Sequence, residues 1–277
     1  MRQCGQRVRE VSVVGSQTTA ADADFLEFTK RIKAKTGLDL LSYKQEQVVR
    51  RLTSLKVRKG FPSFIEFFKA IDRNDDVYRE FMNQLTINVT EFYRNPERWK
   101  VLVEQIVPDI LTRTRKIKCW SAACSTGEES YSLLLALSGL LRLTDIEVFA
   151  TDLDPSVIEK AKLATYTEQS VRQVPAEKLS QYFSNDNGKY MVSDAVKKRV
   201  RFGIHNLLAD PYESGFDLII CRNVMIYFNE QAKERLFRKF SQSLNPGGYL
   251  FVGGTEQIRG PEKYGLATIA MFFYKKT

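Results

Sequence analysis

The sequence predicts an α/β protein: a doubly wound, mostly parallel sheet with a small β-hairpin, preceded by a small all-α domain. Three observations lead there. From Ile117 onward, short apolar runs of strand length alternate with stretches of helical periodicity, the order that builds parallel sheets through crossover helices. Before residue 87 the apolar residues recur at helical spacing. Residues 87–96 between them are polar and aromatic and close on a helix-start signal, Asn95-Pro96.

Taken in order, residues 1–20 lack apolar periodicity and are expected to form a disordered arm. Residues 21–86 are expected to form the helical domain. Phe25, Phe28 and Ile32 mark one helix, and Thr36-Gly-Leu its stop. Ser42 can cap a second helix over Tyr43–Lys59, with Val48, Leu52 and Leu55 on one stripe. Pro62 suits the first turn of a third, and residues 74–85 make a fourth. Residues 87–96 form a connector, followed by a helix over Pro96–Thr112. In 97–277, strands are expected at Ile117–Ser121, Glu147–Thr151, Val200–Ile204, Phe216–Cys221, Tyr249–Gly253 and Thr268–Tyr274. Helices are expected at Glu128–Leu141, Pro155–Leu163 and Asn229–Leu244. Asn185-Asp-Asn-Gly188 centres a hairpin insert at about 180–195.

Composition excludes several classes. The 277 residues are 43% hydrophobic and 27% charged, enough for a real core. No apolar run approaches the ~18 residues of a membrane span, and the start has no secretory signal. A cytoplasmic protein is expected. The four cysteines form no C-x-x-C pair and His205 is the single histidine, so no metal site is expected. Net charge is +9, and residues 31–60 alone hold nine Lys/Arg against Asp39 and Glu46. Such a patch fits nucleic acid, an anionic membrane or an acidic protein surface. Arg51 and Arg58 flank the apolar stripe of the second helix, while Arg50 points further outward.

The first strand runs into Ser121-Ala-Ala-Cys-Ser-Thr-Gly127-Glu-Glu-Ser-Tyr-Ser132. Small residues at a strand-to-helix turn let a cofactor approach the backbone. The phosphate-binding form would be G-x-G-x-x-G. Here one glycine is followed by Glu128 and Glu129, which would repel a pyrophosphate. They suit a cationic ligand, such as the amino group or sulfonium of S-adenosylmethionine, although acids at a helix start also complement its dipole. Asp152, about 25 residues after Gly127, ends the second strand where ribose hydroxyls bind in such folds. Asp154 before Pro155 reads as a helix cap. Asn206 can pair with an adenine edge and Leu207 can pack on its face. The fourth strand ends in Cys221-Arg-Asn-Val224, not in the Asn/Asp-Pro-Pro-aromatic stretch frequent in enzymes that methylate amide or base nitrogens.

Together these stretches resemble the chemotaxis receptor methyltransferases, the CheR family, over residues 22–277. The resemblance rests on Arg50-Arg51-Leu52, Asn88-Val-Thr-Glu-Phe-Tyr-Arg94, Ser125-Thr-Gly-Glu-Glu129 with Tyr131-Ser132, Ala150-Thr-Asp152-Leu-Asp154, Asn206-Leu207-Leu208, Phe216-Asp217, Cys221-Arg-Asn-Val-Met-Ile-Tyr-Phe228 and Asn245-Pro-Gly-Gly248. Ser130 departs from the proline usual in the family, with no chemical consequence. The resemblance implies a Rossmann-like S-adenosylmethionine methyltransferase fold. It implies that Asn88, Thr90, Arg94, Glu129, Asp152, Asn206, Leu207, Arg222 and Asn223 line the cofactor site, with Arg94 and Tyr227 near the transferred methyl. The expected reaction is methyl transfer to glutamate side chains of chemoreceptors, giving S-adenosylhomocysteine and methyl esters. Arg50, Arg51 and Arg58 of the helical domain would dock on the receptor's cytoplasmic methylation helices. A monomer is expected, with neither nucleic acid nor direct membrane insertion. A second departure is the short Phe183–Tyr190 hairpin, which lacks the glycine-rich loop that grips a receptor's C-terminal pentapeptide in some family members. A pentapeptide-independent enzyme is expected.

Overall fold

The computed structural model describes residues 20–277. The arm expected over 1–20 lies outside the described residues, save that Ala20 already belongs to the first helix. Four helices come first: α1 Ala20–Thr36, α2 Gln45–Arg58, α3 Phe64–Arg73 and α4 Asp75–Leu85. Phe28 is their hub. Its buried ring lies 5.2 Å from Phe64, 5.8 Å from Phe67 and 6.2 Å from Phe81, distances at which aromatic pairs add to area burial. Asp24 of α1 accepts the N–H groups of Phe64 and Ile65 at 2.7 and 3.2 Å, so one helix caps the start of another.

Two boundaries differ from expectation. Ser42 does not cap α2. It ends a 3₁₀ turn, Leu40–Ser42, and its hydroxyl accepts from Arg235 at 3.0 Å. Tyr43 is extended and bridges to Phe228, and the Lys44 N–H donates to the Tyr227 carbonyl at 2.8 Å. A tertiary contact thus delays the helix to Gln45. Pro62 stands before α3, because Ser63 takes the cap by accepting from Glu66 at 3.1 Å.

The helix expected over Pro96–Thr112 arrives as α5 Pro96–Val101, a π turn Leu102–Ile106 and α6 Val107–Leu111. Pro108, just beyond the π turn, has no N–H to carry the α ladder onward. The α/β part follows with β1 Ile117–Ala122, α7 Glu128–Leu137, β2 Ile146–Asp152 and α8 Pro155–Leu163. Next come β3 Thr165–Thr167, α9 Glu168–Val171, α10 Ala176–Tyr182, β4 Phe183–Asp186, β5 Lys189–Val192 and α11 Asp194–Lys197. The chain ends with β6 Val200–Ile204, β7 Phe216–Cys221, α12 Glu230–Ser243, β8 Leu244–Val252, β9 Leu266–Ala270 and β10 Phe273–Lys276. Helix α7 is shorter than expected.

The large sheet has the order β6-β2-β1-β7-β8-β10-β9. β6, β2, β1, β7 and β8 are parallel, and β10 pairs antiparallel with both β8 and β9. This is the Rossmann-like fold with a small antiparallel sheet and an all-α leader. Strand order reverses between β1 and β7, the place where open α/β sheets leave a crevice. The single strand expected at Thr268–Tyr274 is instead the hairpin β9–β10. Phe272 adopts φ +73 to reverse the chain, and no Gly, Pro or Asn in this apolar run announces a turn. The hairpin insert is β4–β5, closed by Asn187 and Gly188, both at positive φ. It gains a third strand, β3, through Tyr166 opposite Tyr190.

Gly127 opens α7 at φ +94, and a Cβ there would stand 2.9 Å from the Ala161 Cβ and 3.1 Å from the Tyr166 hydroxyl. Strain and overpacking then add. Gly127→Ala is expected to destabilise the fold by about 2–4 kcal/mol, read as a lower urea midpoint at unchanged slope.

Candidate active site

A cleft lies beyond the carboxyl ends of β1, β2, β6 and β7. Its floor is the turn after β1. Ala123, Ser125 and Gly127 all have positive φ there, and the Cys124 N–H donates to the Thr151 carbonyl at 2.8 Å. Backbone is thereby exposed where side chains would intrude. Asp152 holds this floor. One carboxylate oxygen accepts from Ser125 at 2.8 Å and the other from Asp154 at 3.1 Å. Burial pushes Asp152 above the usual carboxylate range, and these backbone donors oppose the shift.

Glu129 enters the cleft from the first turn of α7. Ser121 donates to it at 3.0 Å and Arg222 lies 3.5 Å away. Burial raises its pKa, with Arg222 pulling the other way. Glu128, paired with it in the sequence reading, does not line the cleft. Successive helix positions point about 100° apart, and Glu128 turns into the protein to accept from Thr126 at 2.6 Å.

Arg222, at the end of β7, is 6% exposed. Its Nη2 donates to the Arg94 carbonyl and to the Asn95 side chain, both at 2.9 Å. Its guanidinium lies 4.7 Å from the Phe251 ring centroid. Burial lowers its pKa. These contacts pin the connector, which bends at Tyr93 and Asn95, both at positive φ. The Tyr93 N–H donates to Ser132 of α7 at 2.9 Å. Within the connector, Asn88 donates to Asp154 at 3.1 Å and the Arg94 guanidinium donates to the Val89 carbonyl at 3.1 Å. Thr90 lines the same wall.

Beyond β6, Asn206 has its side-chain oxygen accepting from Leu208 at 3.0 Å and its amide donating to Gly37 of the helical unit at 3.3 Å. Each end of its carboxamide keeps one position for another partner. Leu207 is buried beside it. His205 also lines the cleft, packed edge-on against Trp120. Asn223, at φ +61, and Tyr227 complete the rim. The Arg51 guanidinium lies 5.1 Å from the Tyr227 ring centroid. Arg50 and Arg58 are exposed.

Every residue expected at the cofactor site therefore meets at one cleft, and Tyr227 meets them there. Two neighbours were not read from the sequence. Tyr43 lines the cleft from the helical unit, its ring edge-on to Phe228 at 5.0 Å. A lone tyrosine before a helix carries no local signal. Glu256 is buried just behind the rim. The pair Gly253-Gly254 ahead of it could have drawn attention to that strand end.

The buried carboxylates set a pH response. Glu129 has a folded-state pKa above its unfolded one, so its contribution to apo stability is greatest at low pH and is lost as pH rises through the folded value. Glu129→Gln removes that loss. The stability of the variant relative to the native chain is expected to increase with pH across this window, checked by urea titrations at several pH values.

The comparisons agree with this geometry. Residues 88–271 match the S-adenosylmethionine-binding domain of the CheR methyltransferases, and residues 23–86 match the all-α domain of the same family. A chemotaxis protein methyltransferase of Listeria innocua is 42% identical over 92% of this chain and 98% of its own length. Chemotaxis protein methyltransferase 1 of Pseudomonas aeruginosa is 34% identical over 89% of this chain and 94% of its own. A chemotaxis protein methyltransferase of Klebsiella aerogenes is 33% identical over 89% and 90%. The chain belongs to the CheR family and is an S-adenosylmethionine-dependent chemotaxis methyltransferase.

Proposed function

We propose that this enzyme esterifies glutamate side chains on the cytoplasmic methylation helices of chemoreceptors, as a cytoplasmic monomer that needs no pentapeptide tether. The observation that carries the reading is the polarity of the cleft. Glu129 and Asp152 bring two carboxyl groups to one part, while Arg94 lines the rim and Arg51 reaches it through Tyr227. The carboxyl groups suit a cofactor with an ammonium and a sulfonium. The arginines suit an incoming carboxylate.

The residues fit the cofactor. Glu129 would hold its amino group, Asp152 its ribose, and Asn206 and Leu207 its adenine. Asn88, Thr90 and Asn223 close around it. Arg222 holds the wall in place through Glu129, the Arg94 carbonyl and the Asn95 side chain. S-adenosylmethionine supplies an electrophilic methyl. A glutamate carboxylate is ionised at neutral pH and needs no general base, which leaves His205 without a proton to move. Arg94 orients the nucleophile, Tyr227 positions the methyl end, and the buried walls exclude water.

The helical unit, taken as 21–86, serves as the docking domain. Arg50, Arg51 and Arg58 on α2 meet the acidic receptor helix, and Arg51 stands nearest the reaction through its contact with Tyr227. The connector is 87–96, and 97–277 is the catalytic domain.

Radiolabelled methyl transfer to receptor membranes is expected to give a base-labile product; a base-stable label would point to nitrogen methylation. In the same assay Arg94→Ala is expected to lose about 100-fold or more in turnover with its melting temperature retained. The fold should survive because the Arg94 carbonyl, which anchors Arg222, is untouched. Near-normal turnover would remove Arg94 from the site. For the hairpin, whose turn is only Asn187-Gly188, calorimetric titration with a receptor C-terminal pentapeptide is expected to show no specific binding. Saturable binding lost on hairpin substitution would overturn tether independence.

A further inference from the structure

Glu256 belongs to none of the motifs above and does not line the cleft, yet it is 5% exposed and sits directly behind the rim. Three backbone amides fill its carboxylate. One oxygen accepts from Asn223 at 2.7 Å and from Gly253 at 2.8 Å, and the other accepts from Ile226 at 3.2 Å. These donors come from the ends of two adjacent strands, β7 and β8, and from the turn that follows β7. Convergent backbone amides make an anion site, and here the chain supplies the anion itself.

The neighbouring backbone is shaped around that carboxylate. Asn223 holds φ +61, in the left-handed region that most non-glycine residues avoid. Any Cβ at Gly253 would overlap the Glu256 carboxylate and stand 2.9 Å from the Asn223 nitrogen. The Ile226 amide is the last fixed point before Tyr227.

We propose that Glu256 is a positioning residue for methyl transfer, acting through Asn223 and Tyr227 rather than on the substrate. The proposal rests on the reading above that Tyr227 positions the methyl end and that Asn223 closes around the cofactor. Asp152, Asn206 and Leu207 hang from other elements and make no hydrogen bond to Glu256. Loosening this three-amide clamp should therefore lower kcat far more than cofactor affinity.

Glu256→Gln places an NH₂ donor against backbone donors, whereas Glu256→Asp keeps the acceptor chemistry on a shorter stem. Turnover with receptor membranes, S-adenosylhomocysteine affinity by calorimetry, and thermal melts are measured together. Glu256→Gln is expected to lose about 10–100-fold in kcat, with affinity changed by no more than about 3-fold. Glu256→Asp should fall between Gln and the native enzyme. Gly253→Ala should reproduce the loss, and the double variant Glu256→Gln/Gly253→Ala should be no worse than its worse parent, because both break one contact. Normal kcat in both single variants, or affinity falling in step with kcat, would overturn the proposal. If Glu256→Gln does not fold, Glu256→Asp and Gly253→Ala decide the matter by the same split. Asn223→Ala and Tyr227→Phe are assayed alongside; native rates in both would overturn the active-site reading on which the proposal rests.

Discussion

A guanidinium removed from water must be surrounded by acceptors, because an uncompensated buried charge costs several kcal/mol. Arg222 answers that constraint through its two terminal nitrogens with three groups from two separate parts of the chain, Glu129 of α7 and the Arg94 carbonyl and Asn95 side chain of the connector, all drawn to the end of β7. The strand end, the helix start and the connector cannot move independently while the charge is satisfied. The cleft's shape follows. Arg94 is presented at the rim because its own carbonyl is tied down beneath, and Glu129 faces inward because its partner lies there.

The same principle joins the helical unit to the sheet. The segment between α1 and α2 offers backbone groups that neither helix uses. Gly37 accepts from Asn206, Ser42 accepts from Asn229 through its carbonyl, and Lys44 donates to Tyr227. These bonds reach both sides of the cleft, and Tyr43 lies between them as part of its wall. The unit carrying the basic helix is therefore part of the cleft. The stacking of Arg51 over Tyr227 continues the contact to the rim.

Much of this was legible in order along the chain. Elements with strong periodicity and explicit caps were found where expected: α8 after Asp154-Pro155, α12 after Asn229, and β7 through its unbroken apolar run. The residues that the family motifs mark as candidates for the cofactor site line one cleft. Elements failed where a distant partner outweighed a local signal. Ser42 looks like a cap but faces Arg235, and the start of α2 is set by Tyr227. The run 268–274 looks like one strand but folds back on itself, because pairing with β8 leaves β9 to cover the new edge.

By itself the sequence determined the two-part architecture, the turn after β1 with acids in place of phosphate-binding glycines, and the basic surface of α2. Those properties depend on periodicity, turn chemistry and charge, which act over a few residues. Only the tertiary structure decided that Arg222 serves as a fixture, that Tyr43 belongs to the wall, and that Glu256 gathers three amides from two strand ends. Each depends on at least one partner about 30 to nearly 190 residues away, and their burial has no local pattern. Such groups must satisfy their hydrogen bonds wherever the fold brings donors and acceptors together.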